Sequence, residues 1–243
     1  MKILNPKYLL IILFVMLATG HSEAQLHLNT YMDGGMNNAS EGFYLKSSVL
    51  GGFQFGGTRV EAGSRQNLVS TGSVFFSGLS ATVSEELTIR LFDFELQGLF
   101  MYIPFSELVH ESDFGILVNI ERDHFRYKLG TSFRTYRITQ EAVEDYDIVS
   151  DRSLHENMNM LYLLGYNVKP ADSDWNIGIS LSNIDHFLIS QETNPMLFLR
   201  AVYKLSLPLT VYAESWYKGA GSLNISANHF GFFFRTGIIW QSD

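Results

Sequence analysis

The sequence predicts an all-β fold: a transmembrane antiparallel up-and-down β-barrel of about twelve strands, with ten strands as the alternative count. Three observations predict it. Apolar and polar residues alternate along most of the chain, long and short connections alternate between the resulting segments, and aromatic residues collect near the segment ends. Alternation with a period of two indicates strands, because successive side chains of a strand point to opposite faces of the sheet.

The alternation is clearest in the final segment, residues 228–240, which reads NHFGFFFRTGIIW. One face of this segment is almost entirely apolar, whereas the other is mixed and includes Phe233 and Arg235. The apolar face is formed by Phe230, Phe232, Phe234, Ile238 and Trp240. Such a strand separates an apolar medium from a more polar one, as the wall of a barrel in lipid does.

Twelve segments of this kind follow one another after residue 24. We predict strands at about 25–32, 43–55, 58–65, 72–83, 87–103, 113–121, 124–138, 157–167, 174–183, 196–206, 209–217 and 229–240. Two of them fit the pattern less well, since 72–83 has a weak apolar face and 87–103 changes phase near Arg90. The first leaves ten strands open, and the second predicts a β-bulge or a projecting strand.

The connections between these segments alternate in length. The even-numbered connections are short, at residues 56–57, 84–86, 122–123, 168–173 and 207–208, whereas the odd-numbered ones are longer. In a transmembrane barrel the tight turns lie at one rim and the longer loops at the other, and the number of strands is even. A closed sheet also satisfies its backbone hydrogen bonds inside lipid, because it has no free edge.

The two faces of the predicted strands differ in chemistry. Charged residues of both signs lie on the less apolar face, and we predict that they face the lumen and set any ion preference. This set comprises Arg59, Glu61, Asp93, Glu95, Arg126, Lys128, Arg200, Lys204, Glu214 and Arg235. Phe233, Tyr212 and Trp216 are also predicted to point inward, which would partly occlude a lumen of this size.

Aromatic residues lie toward the segment ends on the apolar face. They are typical of the two aromatic girdles that mark the membrane interfaces of a β-barrel. The predicted girdle residues are Phe43, Phe53, Phe55, Trp175, Tyr203, Tyr217 and Trp240.

The N-terminus predicts export of the chain. Lys2 and Lys7 precede an apolar run at residues 9–18, and the small residues Ser22 and Ala24 follow it. This is the pattern of a secretory signal peptide that is cleaved after Ala24. The predicted organisation is therefore a signal peptide over residues 1–24 and a single barrel over residues 25–243, with Gln25 first.

Composition excludes several classes of function. The chain has no cysteine, which excludes disulfides and thiol chemistry, and its formal net charge is −8. It also has no basic tract, so nucleic acid is not an expected partner. No motif of a zinc site, a phosphate-binding loop or a serine hydrolase occurs. We therefore expect no metal, no cofactor and no catalytic residue.

The chain resembles the bacterial outer-membrane β-barrel class over its whole length after residue 24. A signal peptide, alternating strands, loops sorted by parity and a final aromatic strand carry the resemblance. Members of this class often end on an aromatic residue, whereas three residues follow Trp240 here. The resemblance implies the outer membrane of a Gram-negative bacterium, with outer-membrane lipid as a partner. It implies a narrow channel for small solutes or ions, or a non-catalytic component of the envelope.

The C-terminal third is also similar in cadence to the PorP/SprF family. The similar stretches are WNIGISLSNI, from residue 175, and YKLSLPLTVYAESWYKGAGSLNISANHFGFFFRTGI, from residue 203. The Asn/Pro-rich opening that is usual in that family is absent here. This resemblance implies a component of type IX secretion, with envelope assembly proteins as partners.

Two other classes of function stay open. A barrel-borne lipid hydrolase or deacylase would need a serine, a base and an orienting group near a rim. The candidate pairs are His186 with Ser182 or Ser190, and His229 with Ser226. A secreted soluble β-barrel that binds a small apolar ligand would show the same alternation, with its charged face in water.

Overall fold

The computed structural model describes residues 24–37, 42–69, 75–89, 92–104, 109–138, 143–144, 153–170, 173–185, 187, 191–206, 208–218 and 231–242 of the 243-residue chain. The strands are β1 (Gln25–Asn37), β2 (Gly42–Phe55), β3 (Thr58–Val69), β4 (Phe76–Ile89), β5 (Phe92–Pro104), β6 (Val109–Arg122), β7 (Phe125–Ile138), β8 (Ser153–Val168), β9 (Trp175–Ile184), β10 (Gln191–Ser206), β11 (Leu209–Lys218) and β12 (Gly231–Gln241). The predicted count of twelve strands is confirmed. The predicted signal peptide, apart from Ala24, and Phe230 lie outside the described residues.

The strands form one closed barrel. Each strand pairs antiparallel with its neighbours in the chain, and β1 pairs with β12 to close the sheet. Along this seam Leu28 lies opposite Trp240, and Asp33 lies opposite Arg235. The closed order leaves no strand edge, which is the condition for a sheet to cross lipid without unpaired backbone groups. The fold is therefore the predicted transmembrane up-and-down barrel.

The tight turns lie on the side of the barrel where β1 begins and β12 ends, which we call the turn side. The strand ends that flank residues 56–57, 90–91, 123–124, 169–174 and 207–208 lie there, whereas the strand ends that flank the longer connections lie on the opposite, loop side. Gly56 and Asp123 have φ angles of 56° in their turns. This left-handed backbone favours glycine and, among other residues, asparagine and aspartate, which explains why these residues reverse the chain.

The prediction of a turn at residues 84–86 and of one long strand over 87–103 is wrong. Ser84 and Glu86 lie within β4, where they pair with Gln97 and Glu95 of β5 in a continuous register. Ile89 at the end of β4 pairs instead with Phe92 at the start of β5, so the chain reverses between these two residues. The change of phase near Arg90 therefore marks a hairpin between two strands, and the predicted bulge is not needed to explain it.

The outer surface of the barrel is apolar. On β12 the outward-facing side chains of Phe232 and Phe234 are 62% and 50% exposed, and other strands likewise present large apolar side chains outward. An exposed apolar surface of this extent marks contact with another apolar phase, so the alternative of a secreted soluble barrel is not favoured. Among the residues that the structure describes, no helix is long and apolar enough to cross a membrane.

The seven predicted girdle residues all occupy outward positions near the ends of strands. Phe53, Phe55, Trp175, Tyr203 and Trp240 lie near the turn side, whereas Phe43 and Tyr217 lie near the loop side. Pairs of rings touch along the turn side: Phe53 and Phe55 stack with centroids 5.9 Å apart, and those of Trp175 and Tyr203 are 4.8 Å apart. The two groups therefore lie where the two membrane interfaces of a barrel are expected.

The interior is filled by side chains over much of its height. Three clusters of buried side chains occupy inward positions. They are Leu99, Met101, Leu117, Leu161 and Ile184; Tyr31, Leu50 and Tyr212; and Met196, Phe198 and Trp216. The inward positions predicted for Tyr212, Trp216 and Phe233 agree with this arrangement, since Phe233 packs against the third cluster. An open space lies toward the turn side.

Candidate functional site

A polar space enters the barrel from the turn side, and we call it the vestibule. It consists of three cavities of about 260, 240 and 350 Å³, and Arg126 lies in the wall of each. Gln25 and Gln241 line it near the turn-side rim, while Phe187 and Arg200 line its inner end. The space is thus open to water at one side and bounded by an aromatic side chain at the other.

The structure places the ten predicted lumen residues at three levels. Seven line the vestibule, two lie deeper in the barrel, and one is exposed at the turn-side rim. The seven are Arg59, Glu61, Asp93, Glu95, Arg126, Lys128 and Arg200. The deeper pair is Glu214 and Arg235, which are fully buried, and the residue at the rim is Lys204.

Several charges of the vestibule are paired with their neighbours. Nη2 of Arg59 lies 2.9 Å from Oε2 of Glu61, and the same oxygen is 2.6 Å from Nε2 of His27. Nε of Arg126 lies 2.9 Å from Oε1 of Glu121. Because these pairs are partly exposed to the open space, their contribution to stability is small, and they act chiefly as fixed charges along its wall.

Two arginines and three carboxylates form a buried ion-pair cluster just beyond the vestibule. The cluster consists of Arg65, Arg235, Asp33, Asp185 and Glu214. The guanidinium of Arg235 contacts Asp185 at 3.0 Å and Glu214 at 3.1 Å, and that of Arg65 contacts Asp185 at 3.3 Å. Asp33 lies 3.5 Å from Arg65 and 3.7 Å from Arg235. The cluster joins β1, β3, β11 and β12 to the chain that follows β9.

Asp185 and Phe187 follow the end of β9 and reach into the lumen; we call them the plug residues. The ring of Phe187 stacks on that of Tyr31, with centroids 5.2 Å apart, and lies 5.5 Å from that of Tyr212. The guanidinium of Arg235 lies over the Phe187 ring at 5.4 Å. Aromatic and cation–π contacts of this kind each contribute about 1 kcal/mol. Together with the Asp185 ion pairs, they hold the plug residues across the lumen.

A second charged group lies on the loop side, within the described part of β6 and β7. Nε of Arg134 is 3.5 Å from Oε1 of Glu111 and 3.4 Å from Oδ1 of Asp113. All three side chains are buried, and Nη1 of Arg134 also donates to the hydroxyl of Tyr136 at 3.1 Å. This group ties two adjacent strands together and has no contact with the vestibule.

The structure describes only one of the predicted hydrolase candidates. Of the predicted hydrolase candidates, His186, Ser190, Ser226 and His229 lie outside the described residues. The remaining one, Ser182, is buried, and its hydroxyl lies 2.8 Å from the carbonyl oxygen of Tyr162 and 2.7 Å from that of Ile184. In the part of the chain that the structure describes, no group of three or more His, Asp or Glu side chains is placed to hold a metal ion.

Sequence reasoning missed the plug residues and Asp33. Asp33 lies just after the predicted end of the first strand at residue 32, whereas β1 continues to Asn37. The plug residues were predicted to lie in the connection after the ninth strand, where no periodicity shows the direction of a side chain. Arg235, which is predicted to face the lumen, could have indicated that carboxylates lie near it, because a charge buried inside a barrel needs compensation.

The fold is similar to that of solved outer-membrane porins. The KdgM porin in complex with disordered oligogalacturonate has a TM-score of 0.51 and 11% identity, and the KdgM porin alone has 0.50 and 12%. The NanC porin has 0.49 and 13%; each comparison covers 87% of this chain and 98% of the other. No protein-family model and no curated protein matches the sequence. The resemblance to the PorP/SprF family thus stays a prediction.

Proposed function

We propose that this chain is a narrow solute channel in the outer membrane of a Gram-negative bacterium, with its turn side facing the periplasm. The vestibule is the observation that carries this proposal. It is a charged and polar space that enters the barrel from one side and reaches the level of Phe187. Fixed charges along such a path determine which ions and small solutes enter it. The porin-like fold and the apolar outer surface support the same role.

On this proposal the structure is a closed conformation of the channel. Barrels of eight strands are filled by side chains, and those of 16–18 strands leave a wide aqueous channel. A twelve-stranded barrel lies between these limits, so a few side chains are enough to close it. The plug residues close the inner end of the vestibule, and passage requires that they leave the lumen. Because Asp185 is held by Arg65 and Arg235, these ion pairs determine how often that happens.

A non-conducting envelope component is the second candidate, and a specific observation favours it. The inward clusters around Leu117 and around Phe198 fill the loop-side part of the lumen in addition to the plug residues. A barrel whose interior is packed in this way can act as a rigid anchor for an assembly partner. The PorP/SprF-like role in type IX secretion belongs to this candidate, and a barrel-borne lipid hydrolase has no described residue that favours it.

Single-channel recording in a planar bilayer tests the channel. The protein to use is the refolded chain from residue 25 onward, as wild type and as the double variant Asp185→Asn/Phe187→Ala. Both changes weaken the contacts that hold the plug residues, so the double variant is expected to open more often and to show larger current steps than the wild type. Phe234→Ala is the matched control, because it removes an aromatic ring from the lipid-facing surface.

The alternative result is equally informative. If wild type and double variant both insert, show the heat-dependent gel mobility of a folded barrel and still carry no current, the channel is excluded. In that case cross-linking in the native envelope is the next experiment, because the second candidate requires a stable protein partner.

A further inference from the structure

The ammonium group of Lys128 is buried and forms no close ion pair with a described carboxylate. Lys128 occupies an inward position of β7, is 3% exposed, and forms part of the vestibule wall. Its Nζ donates to Oε1 of Gln97 at 3.0 Å, and no described carboxylate lies within ion-pairing distance of it. An ammonium has three donors, and a buried charge without compensation is costly. Lys128 is therefore stabilised by any anion that enters the vestibule.

Arg200 of β10 lines the same cavity and is also incompletely paired. Its Nε is buried, has no hydrogen-bond partner among the described residues and lies 3.6 Å from Oε1 of Glu214. That carboxylate is already in contact with Arg235 at 3.1 Å. The Arg200 guanidinium lies over the rings of Phe187 and Tyr212, 5.4 and 5.0 Å from their centroids. Its position is thus fixed by aromatic contacts, while part of its charge remains available to a ligand.

The cavity that Lys128 and Arg200 share has more cationic than anionic side chains. Its cationic side chains are Arg59, Arg126, Lys128 and Arg200, and its carboxylates are Glu61 and Glu95. Arg59 is paired with Glu61 and Arg126 with Glu121, so the positive charge available to a ligand is that of Lys128 and Arg200. Both carboxylates already have donors: Glu61 is bound by His27 and Arg59, and Glu95 accepts from Asn119 at 2.9 Å. The cavity has a volume of about 240 Å³. It therefore offers positive charge in a space of small-molecule size.

We infer that the inner end of the vestibule binds a small hydroxylated carboxylate between Lys128 and Arg200. Ammonium and guanidinium groups are strong, charge-assisted donors to a carboxylate. Neutral polar side chains complete the wall and suit the hydroxyl groups of such a ligand: Gln25, Asn29, Gln54, Thr82, Gln97 and Gln241. The binding site does not depend on whether the barrel conducts. The inference that such a ligand is the transported solute rests on the proposed channel.

Calorimetric titration of the detergent-refolded barrel tests the site without requiring current. D-gluconate is the probe, and sorbitol is its neutral counterpart, with a CH₂OH group in place of the carboxylate; ionic strength is held constant. Saturable binding of gluconate and none of sorbitol are expected. Because one charge-assisted hydrogen bond is worth about 1.5–3 kcal/mol, Lys128→Gln and Arg200→Gln are each expected to weaken gluconate binding by about tenfold or more.

Lys204→Gln is the matched control, because it removes the same charge from an exposed residue of the rim that lies outside the cavity. Unchanged gluconate affinity in this variant supports a local site. The inference is overturned if gluconate fails to bind the folded wild type, if sorbitol binds equally well, or if all three variants weaken gluconate alike. If one cavity variant fails to fold, the other decides. Binding without current overturns the channel alone, and current without binding overturns this site alone.

Discussion

Gly237 shows how closely the interior of the barrel is packed at the level of a single residue. It lies on an inward position of β12, and a Cβ atom there would be 2.6 Å from both the Tyr212 hydroxyl and the Tyr31 Cβ atom. Only glycine lets these two tyrosines approach across the strand. The Tyr212 side chain is also held in position, since its hydroxyl donates to Oδ1 of Asn29 at 3.0 Å.

Gly237→Ala is therefore expected to destabilise the barrel by about 1–3 kcal/mol, the usual range for an overpacked interior. Urea unfolding in lipid vesicles, followed by tryptophan fluorescence, measures the change. Gly51→Ala is the control on the outer face, because its nearest neighbour is a Leu28 methyl group at 3.8 Å. Equal stability of the two variants would show that the tyrosines do not meet at position 237.

Arg235 is held in place by ion pairs and by an aromatic ring. Its guanidinium is fully buried, contacts Asp185 and Glu214, and lies over the Tyr31 ring at 4.4 Å. A buried ion pair adds little net stability when it is intact, because both charges lose hydration. Removal of one partner is costly, since it leaves the other charges buried without compensation.

Arg235→Met is accordingly expected to lower the free energy of unfolding by about 3–5 kcal/mol. Arg59→Met is expected to lower it by about 1 kcal/mol or less, because the Arg59 side chain is 48% exposed in its pair with Glu61. The same vesicle-based urea titration compares the two variants. A loss of similar size in both would mean that Arg235 is as well hydrated as Arg59.

At the scale of elements, the sequence predicts strands correctly where apolar and polar residues alternate strictly. It does not predict strand residues that lack this alternation and are held only by backbone pairing with the neighbouring strands. The end of β1 was missed because Asp33 and the glycines after it lack alternation, although they pair with both neighbouring strands. The hairpin between β4 and β5 was misplaced because Ser84, Glu85 and Glu86 resemble a turn. Neither residue between Ile89 and Phe92 is a glycine or a proline, so the sequence contains no turn signal there.

The residues of the candidate site likewise fall into those that the sequence predicts and those that it does not. Strand periodicity is sufficient to place Arg126, Lys128 and Arg200 on the inner face, because the direction of each side chain follows from its position in the strand. The plug residues could not be predicted, since they lie beyond the last residue of β9 and contact Tyr31 and Arg235, which are distant in sequence. Contacts of this kind depend on closure of the whole barrel.

For the whole molecule, the two aromatic groups are predicted to mark the two membrane interfaces, with the apolar surface between them. Strand β10 crosses this region: Tyr203 marks the turn-side interface, Leu199 lies in the middle, and Leu205 lies beyond Tyr203 at the rim. Leu199 and Leu205 are exposed to similar extents, 52% and 56%. Depth in the membrane is therefore the main difference between these two positions.

Leu199→Arg and Leu205→Arg use that difference as a test of the membrane position. A lipid-facing arginine costs about 2–4 kcal/mol at the midplane of the bilayer and about 0–1 kcal/mol near its interface. Leu199→Arg is thus expected to be the less stable variant by roughly 2 kcal/mol or more in vesicles, and to insert more slowly. In water both substitutions would be tolerated equally. Equal unfolding free energies in vesicles would therefore contradict the assignment of Tyr203 and Tyr217 to opposite interfaces, and with it the depth of every residue in the vestibule.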